Sequence, residues 1–113
     1  MSLTKKALLE NMMKASDPPH KLGEFFGSTV YCKKMSELKR TRRAVSMFDG
    51  EEISDKYRER ARVLTIIDHL CDEEGKMLFT EKDIPSLMDV QSDVLDDLTD
   101  AIAKWVQDEE GND

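Results

Sequence analysis

The stretch Tyr57-Arg-Glu-Arg-Ala-Arg-Val-Leu-Thr-Ile-Ile-Asp-His-Leu-Cys-Asp-Glu-Glu-Gly-Lys-Met-Leu-Phe-Thr-Glu-Lys-Asp83 decides the fold. Tyr57, Ala61, Leu64, Ile67 and Cys71 recur at three- and four-residue steps, and Val63 and Leu70 widen the stripe, which is the spacing of a helix with one buried face. The run closes on Asp72-Glu-Glu-Gly75, where the glycine supplies the left-handed backbone that a helix exit or tight turn requires. Met77-Leu-Phe79 returns the chain to the core, with Phe79 expected against the central helix. Thr80, with Asp83 three positions on, has the pattern of a capping box and predicts a new helix start.

With 113 residues, the chain is expected to form one domain burying ~65% of its unfolded surface around a single small core. It is 39% hydrophobic and 36% charged, apolar enough to fold and charged enough to dissolve. No apolar run approaches the ~20 residues that cross a bilayer, and the N-terminus has no signal-peptide apolar region. The expected location is the cytoplasm, with no membrane partner. Cys32 falls in a predicted strand and Cys71 in the predicted helix; neither belongs to a CxxC pair, so both are expected as buried free thiols. The net charge of −7 hides a split, for residues 72–113 carry −11 and residues 1–71 carry +4. A basic front and an acidic back steer association with a partner or with another copy over about a Debye length of ~8 Å.

Outward from the central stretch, Thr4 to Ala15 reads as a short helix with Leu8, Met12 and Ala15 on one face and Leu9 and Met13 beside it. At that length it is marginal alone and needs something to dock on. Asp17-Pro-Pro-His20 ends it and makes a linker, so residues 1–19 are set apart from a helical domain at 20–107. Residues 22–34 hold β-branched and aromatic side chains around Gly27-Ser28, which predicts a β-hairpin turning there. Ser36 is the cap of a following helix on which Leu38, Arg42 and Val45 share one face; Asp49-Gly50 is a turn, and Ser54 or Asp55 caps the central helix. A short helix at 81–88 accommodates Pro85 near its first turn. The last helix is predicted from Val90 to Val106, with Val94, Leu98, Ala101 and Trp105 as its seam, Leu95, Ile102 and Val106 beside it, and Asp93, Asp96, Asp97 and Asp100 outside. Residues 108–113 read as a disordered acidic tail. The fold class is mainly α, with an N-terminal β-hairpin followed by a small domain of four to five helices.

Motifs that carry chemistry are scarce. Gly75 placed at the sixth position of a calcium loop puts Leu70, with no ligand oxygen, at the first, so Asp72 and its neighbours read as a solvated acidic turn. His20 and His69 have no second ligand at metal spacing. There is no phosphate loop, nucleophile elbow or Cys–His arrangement; no catalytic residue, cofactor or metal is expected. The strongest charge cluster is Lys33-Lys-Met-Ser-Glu-Leu-Lys-Arg-Thr-Arg-Arg43. Its members Lys33, Lys34, Lys39, Arg40, Arg42 and Arg43 read either as a solvated helix face or as a protein-docking patch, with Asp93, Asp96, Asp97 and Asp100 as a complementary surface for self-association. Nucleic acid fits this cluster less well, because no stacking aromatics interleave and the remainder of the chain is acidic.

The pattern Asp72-Glu-x-Gly-x-x-Leu-Phe-Thr-x-x-Asp83, with an Arg-rich amphipathic helix before it, a Leu-rich acidic one after it and a Val30-Tyr31 strand upstream, resembles the tail assembly chaperones of long-tailed bacteriophages. The resemblance spans roughly Leu22 to Val106. It implies a non-enzymatic chaperone that keeps the tape measure protein soluble while tail tube proteins are recruited, and that is absent from the finished particle. It also implies that this chain is the shorter of two products of a ribosomal frameshift. Two other readings stand beside it: a small phage or bacterial regulatory protein binding DNA through residues 33–43, and a structural tail or head-completion component.

Overall fold

The computed structural model describes residues 4–16 and 18–110. Asp17 of the expected linker and residues 111–113 of the expected tail lie outside the described residues. Among these residues the order is α1 (Lys5–Ala15), β1 (His20–Phe25), β2 (Ser28–Cys32), α2 (Glu37–Ser46), β3 (Phe48–Asp49), β4 (Glu52–Ile53), α3 (Asp55–His69), β5 (Leu70–Cys71), a 3-10 turn (Glu81–Asp83), α4 (Ile84–Met88) and α5 (Ser92–Glu110). The chain is mainly helical, with five helices and an early antiparallel hairpin that belongs to a three-stranded sheet of order β1-β2-β5.

The core is the buried flank of α3. Val63, Leu64, Ile66, Ile67 and Leu70 pack with Cys32 of β2 and with Leu95 and Ile102 of α5; Phe79, Ile84, Leu87 and Trp105 close over them half-buried. The expected stripe on α3 is therefore displaced toward Ile66, while Tyr57 and Ala61 stay half-buried. On α5 the buried line is Leu95, Thr99 and Ile102, and the expected seam of Val94, Leu98, Ala101 and Trp105 flanks it. Thr99 tolerates burial because its hydroxyl donates to the Leu95 carbonyl at 3.1 Å. α5 also continues through Glu110, four residues past its expected end. Gln107 to Glu110 contains no proline or glycine to stop it. The acidic tail expected from 108 is thus helical as far as 110.

Two helix-to-strand details differ from the sequence reading. The first hairpin turns at Phe26-Gly27, one residue earlier than expected, with φ of 52° and 81° at the two positions and Phe25 paired to Ser28. Positive φ at both central residues is the turn whose twist matches that of the flanking strands, and Gly27 meets half of that demand without strain. The second concerns Leu70 and Cys71, which leave the helix and form β5. The Leu70 amide still bonds to the Ile66 carbonyl while its own ψ is already 132°. The backbone then pairs Tyr31 with Cys71 and Cys32 with Leu70, satisfying the open edge of β2. Cys32 and Cys71 are both buried and unpaired.

The turn after β5 is held by Asp72. Its Oδ1 accepts from the Glu74 and Lys76 amides, each at 2.9 Å, and its backbone N–H donates to the Lys76 carbonyl at 2.8 Å. Gly75 sits at φ +90°, and a Cβ there would lie 3.3 Å from Pro19 Cγ, so the turn is both left-handed and in contact with the segment before β1. Thr80 makes a reciprocal capping box with Asp83, which starts the helical segment that carries Pro85 at its beginning. Ser36 and Ser54 cap α2 and α3 as expected, accepting from the Lys39 and Tyr57 amides at 3.3 Å each.

Gly75→Val is expected to cost on the order of 1–2 kcal/mol from the left-handed backbone alone, and about 4–10 °C in a thermal melt. An unchanged midpoint would show that the turn bears no such strain. Burial pushes the Cys32 thiol up to about 11 and raises that of Cys71. Because the reactive thiolate is disfavoured in the folded state, iodoacetamide at pH 8 should modify neither cysteine in buffer and both in urea, read by mass spectrometry.

Candidate functional site

The helix α2 carries Lys39, Arg40, Arg42 and Arg43 of the cation cluster, with Lys33 and Lys34 in the segment before it, and its attachment to the core is unusual: none of its residues is buried. Arg43 reaches across to Asp68 on α3 in a two-pronged ion pair, Nε to Oδ2 at 2.8 Å and Nη2 to Oδ1 at 3.0 Å. The Arg43 side chain is 15% exposed and that of Asp68 is 4% exposed. Glu81 stands 3.8 Å from Nη2 on the other side. The hydrogen bonds to Asp68 hold the guanidinium even more firmly protonated than usual, against the opposing pull of burial. Lys39, half-buried one turn earlier, is lowered chiefly by desolvation, while Asp68 draws it the other way.

Arg43 therefore does not belong to an open basic face, as the sequence reading had it, but closes a buried pair. Arg40, Arg42 and Lys34 are exposed and Lys33 and Lys39 are half-buried. On the acidic side, Asp93, Asp97 and Asp100 are exposed, whereas Asp96 is taken by Arg62 of α3 at 2.6 Å. The site residue that the sequence reading missed is Asp68. Its position was a signal: it lies four residues after Leu64 and seven after Ala61, on the apolar flank of α3, where a carboxylate needs a cation brought to it.

With Arg43 directed inward, the face of α2 bearing Leu38 and Val45 points outward, 60% and 72% exposed. Beside it lies a hollow of about 440 Å³ between α2, α3 and the segment 77–81, with Leu38, Ile67, Met77 and Phe79 as its apolar lining and Lys39 and Arg42 among its cations. A second hollow of about 590 Å³ adjoins it, sharing Ser36, Lys39, Asp68 and Met77 and adding Lys33, Met35 and Met13. Met13 comes from α1, capped by Thr4, whose hydroxyl accepts from the Ala7 amide at 3.1 Å. No residue of α1 is buried, and Leu8, Leu9, Met12 and Met13 are all exposed.

His69 donates from Nδ1 to the Thr65 carbonyl at 2.9 Å and His20 stacks on Trp105 with ring centroids 5.5 Å apart, so both imidazoles serve packing. Among the described residues no group of three or more His, Cys, Asp or Glu is placed to hold a cation, and no helix is long and apolar enough to cross a membrane. The arrangement is a hollowed surface, apolar at its floor and basic at its rim. Compared with known proteins, the chain matches no family model, no curated protein and no solved structure.

Removing one partner of the buried pair leaves the other charged and unpaired, so Asp68→Ala should cost about 3–5 kcal/mol. The exposed Arg62–Asp96 pair is worth at most about 1 kcal/mol, so Arg62→Ala should be nearly silent. Urea denaturation of the two variants checks the contrast; equal losses would mean that the Arg43–Asp68 pair is not buried.

Proposed function

We propose that this chain is a non-enzymatic tail assembly chaperone that binds the tape measure protein of a long-tailed phage and keeps it soluble while tail tube subunits are recruited. The observation that carries this reading is α1, an amphipathic helix of 11 residues with no residue buried and four large apolar side chains in solvent. A helix this short is marginal unless its apolar face is covered, and exposed apolar stripes on an otherwise charged molecule are what a helical client can pack against. Methionine suits such a surface because its unbranched, polarizable side chain adapts to irregular neighbours. Met12 and Met13 stand on α1, and Met35 and Met77 line the adjoining hollow. The resemblance of Asp72 to Asp83 to the chaperone pattern supports the same reading, and the acidic remainder of the chain keeps the complex in solution.

Co-expression tests it. A tape measure protein of a long-tailed phage co-expressed with this chain should move from the pellet to the soluble fraction and co-purify with it, and Leu9→Ser with Met12→Ser should reduce that recovery severalfold without altering the circular dichroism of the chain. A client equally insoluble with and without the chain would overturn the reading. Presence of the chain in purified virions would favour a structural component instead.

A further inference from the structure

We propose that the paired hollows between α2, α3 and the segment 77–81 form a docking groove for an acidic amphipathic helix of a partner protein. In naming a client segment as its occupant this rests on the chaperone reading; the chemistry of the occupant does not. The floor is apolar, built by Leu38, Ile67, Met77 and Phe79 with Met35 at the adjoining end. The rim carries Lys33, Lys39 and Arg42, none of which has an ion pair among the described residues. Two acids line the groove and both face the same guanidinium: Asp68 is neutralised by Arg43, and Glu81 lies 3.8 Å from Arg43 Nη2. A helix with apolar side chains at three- and four-residue spacing and Asp or Glu on its flanks would fill the floor and pair with the rim.

Among the described residues, neither α1 nor α5 of a second copy meets both requirements. A second copy's α1 has the apolar stripe but carries Lys5, Lys6 and Lys14 against the single acid Glu10, so it brings like charge to the rim. The α5 of a second copy has the acids, yet its apolar line of Leu95 and Ile102 is spent in its own core, and its outer face offers Asp93, Asp97 and Asp100 without side chains for the floor. α1 of the same molecule extends the groove, since Met13 lines its far end, and its lysines add to the charge that an acidic partner meets. The occupant is therefore a different protein, with both properties in one helix.

A fluorescently labelled synthetic peptide of about four helical turns, with Leu at the i, i+3, i+4 and i+7 positions and Glu on the flanks, serves as probe, titrated with the full chain and read by anisotropy. Saturable binding that weakens with salt is expected, with the affinity reduced at least about tenfold in Leu38→Asp and in Arg42→Glu and unchanged in Lys104→Glu on α5. Leu38, Arg42 and Lys104 are all exposed, so thermal melts of the three variants should match the parent. The assignment is overturned if the acidic peptide does not bind, if a peptide with Lys in place of Glu binds equally, if neither groove variant weakens binding, or if a short DNA duplex displaces the peptide as well as unlabelled peptide does. The co-expressed client separates the two levels. A client kept soluble equally by the parent and by Leu38→Asp would remove the groove and leave the chaperone, whereas peptide binding at the groove beside an insoluble client would keep the groove and remove the chaperone.

Discussion

Asp68 is the constraint on which the arrangement of this molecule turns. It lies on the core flank of α3 between Ile67 and Leu70, buried almost as completely as they are, and a carboxylate in that position must be neutralised by a cation with matching geometry. Arg43 does this with two parallel hydrogen bonds, a fit that a lysine could not reproduce. Because α2 buries no side chain of its own, the pair fixes more than charge. It sets the rotation of α2 about its axis, and that rotation decides which face of the helix remains in water.

The consequence is a surface with an unusual composition for an acidic protein. Turning Arg43 inward turns Leu38 and Val45 outward, opens the hollows beside Met77 and Phe79, and leaves the remaining cations around them. α1 continues that surface without closing it. The turn at Asp72 to Lys76 supports the same region from below, since it carries the chain from β5 back to Met77, which pairs with Cys71, and so positions Met77 and Phe79 as the floor. Structural devices with no chemistry of their own, a buried ion pair and an Asp-stabilised turn, thus shape the exposed face.

The central helix, its serine cap, the glycine turn and the Thr80 capping box were legible in the sequence because each depends on residues within a turn or two of one another: apolar periodicity, a side-chain oxygen three residues from an orphan amide, a glycine where φ must be positive. The mainly helical class with an early hairpin followed from the same local signals. The basic cluster at 33–43 was equally plain, as composition along one stretch of chain.

What lay beyond the sequence was every feature that depends on a partner distant along the chain. Leu70 and Cys71 continue the helical stripe locally, but the unpaired edge of β2, nearly forty residues earlier, recruits them as a strand. Arg43 is indistinguishable from Arg40 or Arg42 by composition, and only the position of Asp68, 25 residues later, takes it out of the basic face. Leu38 and Val45 share a helical face that periodicity alone does not place inside or outside the core. Local signals in the chain set the helices, their caps and their charge; packing set which side of each is covered and which residues leave a helix for a strand. That division has a physical cause, since the hydrogen bonds and caps of a helix join residues within a turn of one another, whereas its rotation is set by the neighbour that must satisfy its most costly buried group.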